Sequence, residues 1–203
     1  MNPASKLMLS DEEQQLVNNS GWILTKRIII DKINRLFGFL CESQQAVIEK
    51  EKDWLPPAVV QSTPKIAKGE NYLQLPYLLL DYPRCFEGDN IFTLRTMFWW
   101  ANFFSITLHV SGTYKNMFQQ KIIKNLFTAK QDIFICIHET QWHHHFEADN
   151  YINAKLLSVN ELTAIISTKQ FVKLAVKFPL HEWNNVTVLL DECFNEMIEM
   201  LKG

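Results

Sequence analysis

The chain has few glycines and lacks every glycine-rich phosphate motif. Only six of its 203 residues are glycine, and neither G-x-x-x-x-G-K nor G-x-G-x-x-G occurs. Those motifs bring backbone N–H groups up to phosphate oxygens, so their absence speaks against a backbone cradle for a nucleotide. G-x-S-x-G and H-E-x-x-H are also missing. No diagnostic motif of a serine hydrolase or a zinc protease is therefore present.

Cysteines are sparse and widely separated. The four of them, Cys41, Cys85, Cys136 and Cys193, form no C-x-x-C pair. The N-terminal sequence turns acidic early and has no apolar signal region. These features predict free thiols in a reducing cytoplasm rather than a disulfide-bonded secreted protein. The high use of Lys, Asn, Ile and Phe is typical of a low-GC bacterial gene.

The overall charge is close to neutral. The formal net charge is −2, and hydrophobic residues make up 47% of the chain. That hydrophobic content predicts a globular protein rather than a disordered one. The charge gives no general attraction to nucleic acid or to an anionic membrane, so we expect neither as a partner.

The longest apolar stretch, residues 91–110, reads IFTLRTMFWWANFFSITLHV. It is long enough to span a membrane as a helix, but it contains Arg95, Asn102 and His109. Its stronger pattern is alternation, because apolar side chains recur at every second position on either side of the centre. A period of two indicates a half-buried strand, so the stretch is predicted to be a β-hairpin.

The predicted register of this hairpin is the one that places polar and apolar side chains on separate faces. A three-residue loop, Trp100-Ala101-Asn102, pairs Trp99 with Phe103, and it places the remaining apolar residues of both strands on one face. A two-residue loop would mix polar and apolar residues, because a slip of one residue turns every side chain over. We expect the last loop residue, Asn102, to adopt the left-handed conformation.

The remaining pattern predicts an α+β fold. The sheet is expected to be mostly antiparallel, with about five strands, and helices are expected on at least one face, among them a long N-terminal helix and a C-terminal helix. Residues 1–203 are expected to form a single domain, with a helical segment at 1–55, a sheet region at 70–178 and a final helix at 181–202. Strands are predicted at 72–81, in the two arms of the hairpin, at 132–139 and at 171–178. Pro76 favours an edge position for the first of these.

The second face of this sheet is the main candidate for a functional surface. When the aliphatic positions of each strand are assigned to the core, the opposite positions carry an aromatic and basic set. It consists of Arg95, Trp99, Phe103, His109, Phe134, Cys136, His138, Phe171, Lys173 and Lys177. Large apolar patches are rarely left bare. The long N-terminal helix, a partner protein or subunit, or a ligand groove could account for this one.

The leading hypothesis is a non-enzymatic binding module that uses this face. The predicted contact residues are Arg95, Trp99, Phe103, His109 and Lys173. The partner would be a protein, a second copy of the chain or a small molecule, and no cofactor is expected. Arg95 would anchor an anionic ligand, since its planar fork binds carboxylate or phosphate at two points. A plainer interpretation makes Arg95 a cross-strand neighbour of Thr107, paired with a nearby acid.

A histidine-rich stretch supports an alternative hypothesis. His138, His143 and His145 could supply three nitrogen ligands to a divalent metal such as zinc, with Glu147 as a further ligand or a base. The corresponding function is a metal-dependent hydrolase. The plainer interpretation is a set of solvated or locally hydrogen-bonded histidines, because established metal motifs have tighter spacing than this one.

Overall fold

The computed structural model describes residues 7–203. The first six positions of the predicted helical segment lie outside the described residues. The chain divides into two compact units, one ending at Leu36 and the other spanning Phe37–Gly203. The arrangement of secondary structure is α+β, as predicted. The expectation of a single domain stays a prediction.

Helices dominate residues 7–60. Helix α1 (Asp11–Asn18) begins with a capping box in which Ser10 and Glu13 bond to each other's backbone N–H groups. The long helix α2 covers Ser20–Lys50, and the short α3 covers Pro57–Val60. Within residues 7–203, no helix combines the length and the apolar character that crossing a bilayer requires.

A seven-stranded antiparallel sheet forms the centre of the second unit. Its strands lie in the order β1-β2-β3-β4-β7-β5-β6. They are β1 (Lys65–Tyr72), β2 (Leu75–Glu87), β3 (Asn90–Trp99), β4 (Phe103–Ser111), β5 (Phe134–Cys136), β6 (Tyr151–Asn153) and β7 (Phe171–Pro179). The prediction of five strands was therefore two short. β1 begins five residues before the predicted sheet region at 70–178, and β6 has only three residues.

Strand β2 departs from the sequence prediction in two ways. It continues through residues 82–87, beyond the predicted end at residue 81, although its pairing with β3 shifts register between Asp81 and Arg84. It is also an internal strand rather than an edge strand, since β1 covers its other side. Pro76 is tolerated there because the β1–β2 pairing is irregular between Gly69 and Tyr72, beside the proline.

The predicted hairpin register is confirmed. Trp99 pairs with Phe103, and Phe98 with Phe104. The left-handed residue of the loop is Ala101, with φ of 59°, so the assignment of that conformation to Asn102 was wrong. Asn102 instead closes the turn with its amides, because its backbone N donates to Trp99 O at 3.1 Å and its Nδ2 donates to Trp100 O at 2.8 Å.

Helices pack on the aliphatic face of the sheet. Helix α4 (Gly112–Asn125) places Phe118 5.7 Å from Phe92 of β3, measured between ring centroids. Trp183, just before α6 (Val186–Glu199), lies 5.5 Å from Phe104 of β4. Helix α5 (Val159–Thr168) begins with a second capping box, formed by Ser158 and Glu161. The aliphatic face is thus the core, which leaves the opposite face to be accounted for.

Candidate functional site

An irregular segment of the chain itself covers the second face of the sheet. Residues 137–150, here called the cover segment, connect β5 to β6 without helix or strand. Its two ends are tied together, because Ile137 N donates to Asn150 O at 2.8 Å. The fully buried Asn150 also donates from Nδ2 to His145 O at 2.5 Å. Long irregular segments that remain ordered are frequently functional.

Phe146 anchors the cover segment in an aromatic cluster. Its ring centroid lies 5.1 Å from that of Phe103 and 5.2 Å from that of Phe134, edge-on to both. It stacks on Tyr151 at 4.7 Å. Edge-on and stacked rings at these distances attract each other beyond the area that they bury. Phe103, a predicted contact residue, therefore packs against the protein's own chain.

Tyr72 of β1 forms a second anchor. Its hydroxyl oxygen accepts hydrogen bonds from the backbone N–H groups of His144 at 2.6 Å and His145 at 3.0 Å. Its ring lies 5.1 Å from that of Trp99. Trp99, another predicted contact residue, is only 5% exposed. Burial raises the pKa of Tyr72, so its hydroxyl stays protonated at neutral pH.

Lys173 of β7 is the third anchor and the most unusual group of the site. It is 1% exposed. Its ammonium donates to Gln141 O at 3.0 Å and to His143 O, both in the cover segment. Among residues 7–203, no carboxylate forms an ion pair with it. Burial lowers its pKa to about 8, so the group still carries most of its charge at neutral pH.

Arg95, in contrast, has its charge balanced. Its guanidinium binds Asp81 at two points, with Nε donating to Oδ1 at 2.7 Å and Nη2 to Oδ2 at 2.8 Å. Nη1 lies 3.2 Å from Nε2 of His144 and donates to it. Arg95 also stands opposite Thr107 in the β3–β4 pairing. The plainer interpretation of this residue therefore describes its surroundings well, and the unbalanced charge belongs to Lys173.

The two histidines of this region are held neutral. His109 is 5% exposed, and its Nε2 donates to Gln141 Oε1 at 2.7 Å. Burial lowers the pKa of His109 to about 3. Burial, followed by the nearby charge of Lys173, lowers the pKa of His144 well below that of an ordinary histidine. Both rings therefore act as neutral hydrogen-bonding groups at physiological pH.

A small cavity lies where these groups meet, and we call it the basic cavity. Its volume is about 10 Å³, close to the space that one water molecule needs. The hydroxyl of Thr93, which is 2% exposed, lines it without any hydrogen-bond partner in the described part of the chain. The lining residues are Thr93, Arg95, Thr107, His109, Gln141, Trp142, His144 and Lys173.

The structure also brings the three predicted metal-binding histidines together. The ring centroid of His143 lies 4.3 Å from that of His138 and 5.3 Å from that of His145. The Nδ1 atoms of His143 and His145 are buried without a hydrogen-bond partner in the described chain. The planes of the rings are tilted by 43° and 42° in these two pairs, and within residues 7–203 no three His, Cys, Asp or Glu side chains are grouped to hold a metal ion. Glu147 is exposed.

A larger depression elsewhere is less promising. It has a volume of about 740 Å³ and lies near the ends of α4 and α6. Its polar groups already bind one another, since Asn125 Nδ2 donates to Met200 O at 3.1 Å and Glu196 accepts from the backbone N of Lys130 at 2.5 Å. These hydrogen bonds join neighbouring parts of the fold, and they leave these polar groups without a need for a ligand.

Sequence reasoning missed the partners that complete the basic cavity. Asp81 could have been identified from the sequence, because an acid directly after the apolar run Leu78-Leu79-Leu80 indicates a buried carboxylate that requires a basic partner. Gln141 and His144 could not have been identified in this way, since their roles depend on where an irregular segment lies. The face-sorting argument did place Arg95, His109 and Lys173 on one surface, and all three line the cavity.

Comparison with known proteins gives no further guidance. No protein-family model, curated protein or solved structure matches the chain. Function must therefore be inferred from the basic cavity, the cover segment and the histidine cluster themselves.

The charge of Lys173 makes a specific contribution to the pH dependence of stability. Its pKa is about 8 in the folded protein and near the ordinary 10.5 in the unfolded chain. Between these values the unfolded chain binds a proton that the folded protein does not, so stability rises with pH. We expect the free energy of unfolding, measured in urea, to rise by about 2 kcal/mol more in wild type than in Lys173→Met between pH 8 and pH 10.

Lys177→Met is the matched control for this measurement, because Lys177 lies on the same strand and is exposed. It should follow wild type across the same pH range. The free energy of unfolding of wild type minus that of Lys173→Met should therefore increase from pH 8 to pH 10. A difference that stays constant or decreases over this range would contradict the burial of a charged ammonium.

Proposed function

We propose that the protein binds a small anionic ligand in the basic cavity, between the second face of the sheet and the cover segment. The observation that carries this proposal is Lys173, a charged group that is 1% exposed and bonded to neutral carbonyls. Burying a charge without a counter-charge is costly. Titratable groups whose pKa is strongly shifted by burial are concentrated at functional sites. A bound anion would supply the opposite charge that Lys173 lacks.

The charge and the donors of the basic cavity favour an anion. Arg95 and Asp81 neutralise each other, which leaves the single positive charge of Lys173. An ammonium has three N–H donors, and the carbonyls of Gln141 and His143 take two of them. The third donor and the unpartnered hydroxyl of Thr93 would bind a carboxylate or a phosphate oxygen.

The size of the cavity limits what can enter without movement. A space of about 10 Å³ accepts a monatomic ion or a single ligand oxygen. A larger anion requires the cover segment to move. Trp142, which is 51% exposed, lies with its ring 5.9 Å from that of His109. It would contact the body of a larger ligand whose anionic end reaches Lys173.

The aromatic residues of the leading hypothesis take a different part in this proposal. Trp99 and Phe103 lie beneath Tyr72 and Phe146, so they would position the cover segment rather than touch the ligand. This function requires no catalysis and no nucleic-acid partner. The described cysteines are all free thiols, which supports a reducing compartment such as the cytoplasm.

Anion binding is tested by titrating the full-length protein with sodium acetate and with sodium phosphate at constant ionic strength. We expect a saturable rise in melting temperature, since a ligand that binds only the folded state stabilises it. Lys173→Met should lose this rise and Lys177→Met should keep it. Thr93→Val, which removes only the hydroxyl hydrogen bond, should weaken binding about two- to tenfold.

Equal shifts in wild type, Lys173→Met and Lys177→Met would contradict the proposal. Such a result would identify a general salt effect on the protein surface. Isothermal titration of wild type with the same two salts provides a readout that does not depend on unfolding.

A metal-dependent hydrolase is a second candidate function. It is favoured by the adjacent rings of His138, His143 and His145 and by the buried Nδ1 atoms of His143 and His145, which have no hydrogen-bond partner among residues 7–203. In the present arrangement their nitrogen donors do not fit a metal ion, because no three ligand side chains converge among the described residues. We therefore assign no reaction step to a metal.

Elemental analysis of tag-free protein, with melting temperature before and after chelation, separates the two candidates. Metal binding predicts about one equivalent of zinc and a lower melting temperature after chelation. His143→Ala should reproduce that loss, whereas His181→Ala, at an exposed histidine, should not. Anion binding alone predicts no resident metal and no change on chelation.

A further inference from the structure

Residues 7–36 expose an unusual amount of apolar surface. Of the eighteen large hydrophobic side chains that are exposed in the described chain, nine lie in these thirty positions. They are Leu7, Met8, Leu9, Leu16, Val17, Trp22, Ile23, Leu24 and Ile28. Contiguous apolar patches on a folded protein usually mark a surface that another molecule covers.

Helix α1 has little packing to stabilise it. It has only eight residues and buries none of them. Helices of fewer than about 12 residues are marginal in water without packing, and a capping box contributes only about 1 kcal/mol. A partner that packs against α1 would therefore stabilise it.

Charge is divided within the same residues. Residues 7–19 carry three acids, Asp11, Glu12 and Glu13, and no base, which gives a charge of −3. Residues 20–36 carry four bases and one acid, which gives +3. The bases are Lys26, Arg27, Lys32 and Arg35, and the acid is Asp31.

We propose that residues 7–36 bind the same residues of a second copy of the chain in an antiparallel, two-fold arrangement. In a two-fold contact each pairing occurs twice. The acidic α1 of each copy would lie against the basic start of α2 in the other, so both pairings are attractive. This division of charge selects a second copy over an anionic membrane, which would attract α2 and repel α1.

The apolar centre of this contact is Leu24 and Ile28. They are four positions apart in α2 and therefore lie on one side of the helix, one turn from each other. Both are more than half exposed, at 57% and 55%. Packing them against Leu16 and Val17 of α1 in the second copy, which are 47% and 59% exposed, would remove these side chains from water and supply the attraction that screened surface charges lack.

The oligomeric state of the full-length chain tests this proposal. In sedimentation velocity over a wide concentration range, the molar mass should rise from 23.8 kDa towards twice that value. High salt should weaken the association. Leu24→Gln/Ile28→Gln should remain monomeric, whereas Val188→Gln, at a similarly exposed residue of α6, should associate like wild type.

A charge exchange gives the sharpest form of the test. The triple variant Arg27→Glu/Lys32→Glu/Arg35→Glu and the double variant Asp11→Lys/Glu12→Lys should each weaken self-association at least about tenfold. A mixture of the two variants should associate again, and so should a single chain that carries all five changes. Glu13 is left unchanged because it closes the capping box of α1.

Four results would overturn the proposal. In the first, the wild-type chain stays monomeric at every concentration, and in the second, neither set of charge changes weakens the association. In the third, neither the mixture of the two variants nor the five-change chain associates. In the fourth, wild type is monomeric and binds to phosphatidylserine vesicles. Circular dichroism measures the helix content of each variant. A variant that loses self-association but keeps the wild-type helix content has lost the contact between copies rather than the helix itself.

Discussion

The buried ammonium of Lys173 is the interaction on which the rest of the site depends. It joins the sheet to the cover segment through two backbone carbonyls, Gln141 O and His143 O. These bonds fix the position of the residues between them and beside them, including His144, which closes the cavity over Arg95. Because no carboxylate balances this charge in the described chain, the same group that fastens the cover segment also favours an anion beneath it.

The two faces of the sheet are completed by different means. The aliphatic face is buried by helices, with Phe118 on Phe92 as one contact, and this follows the usual layering of α+β domains. The opposite face carries aromatic and charged side chains, and an irregular segment covers it through Phe146 and backbone hydrogen bonds. This segment lacks the regular backbone hydrogen bonds of a helix or strand, and segments of that kind are the ones that open most easily, so it is the part of the domain best suited to move when a ligand enters.

The sequence predicted those features that depend on local rules. Alternation predicted the hairpin register at Phe98 and Phe104, because only one register separates the polar and apolar side chains onto two faces. The additional strands were out of reach, since β1 and β6 are recognisable only by their pairing with β2 and β5. The cover segment was missed for the same reason, because its position depends on contacts with residues distant in the chain, such as His144 with Tyr72.

Hydrogen exchange in the cover segment tests the central claim most directly. If Lys173 fastens residues 137–150 to the sheet, then Lys173→Met should speed amide exchange of His144 and His145 at least about tenfold. Exchange in the central strands, for example at Leu94 and Leu108, should stay at the wild-type rate. Equal exchange of the cover segment in wild type and variant would contradict the account, and so would acceleration that reaches the central strands to the same extent.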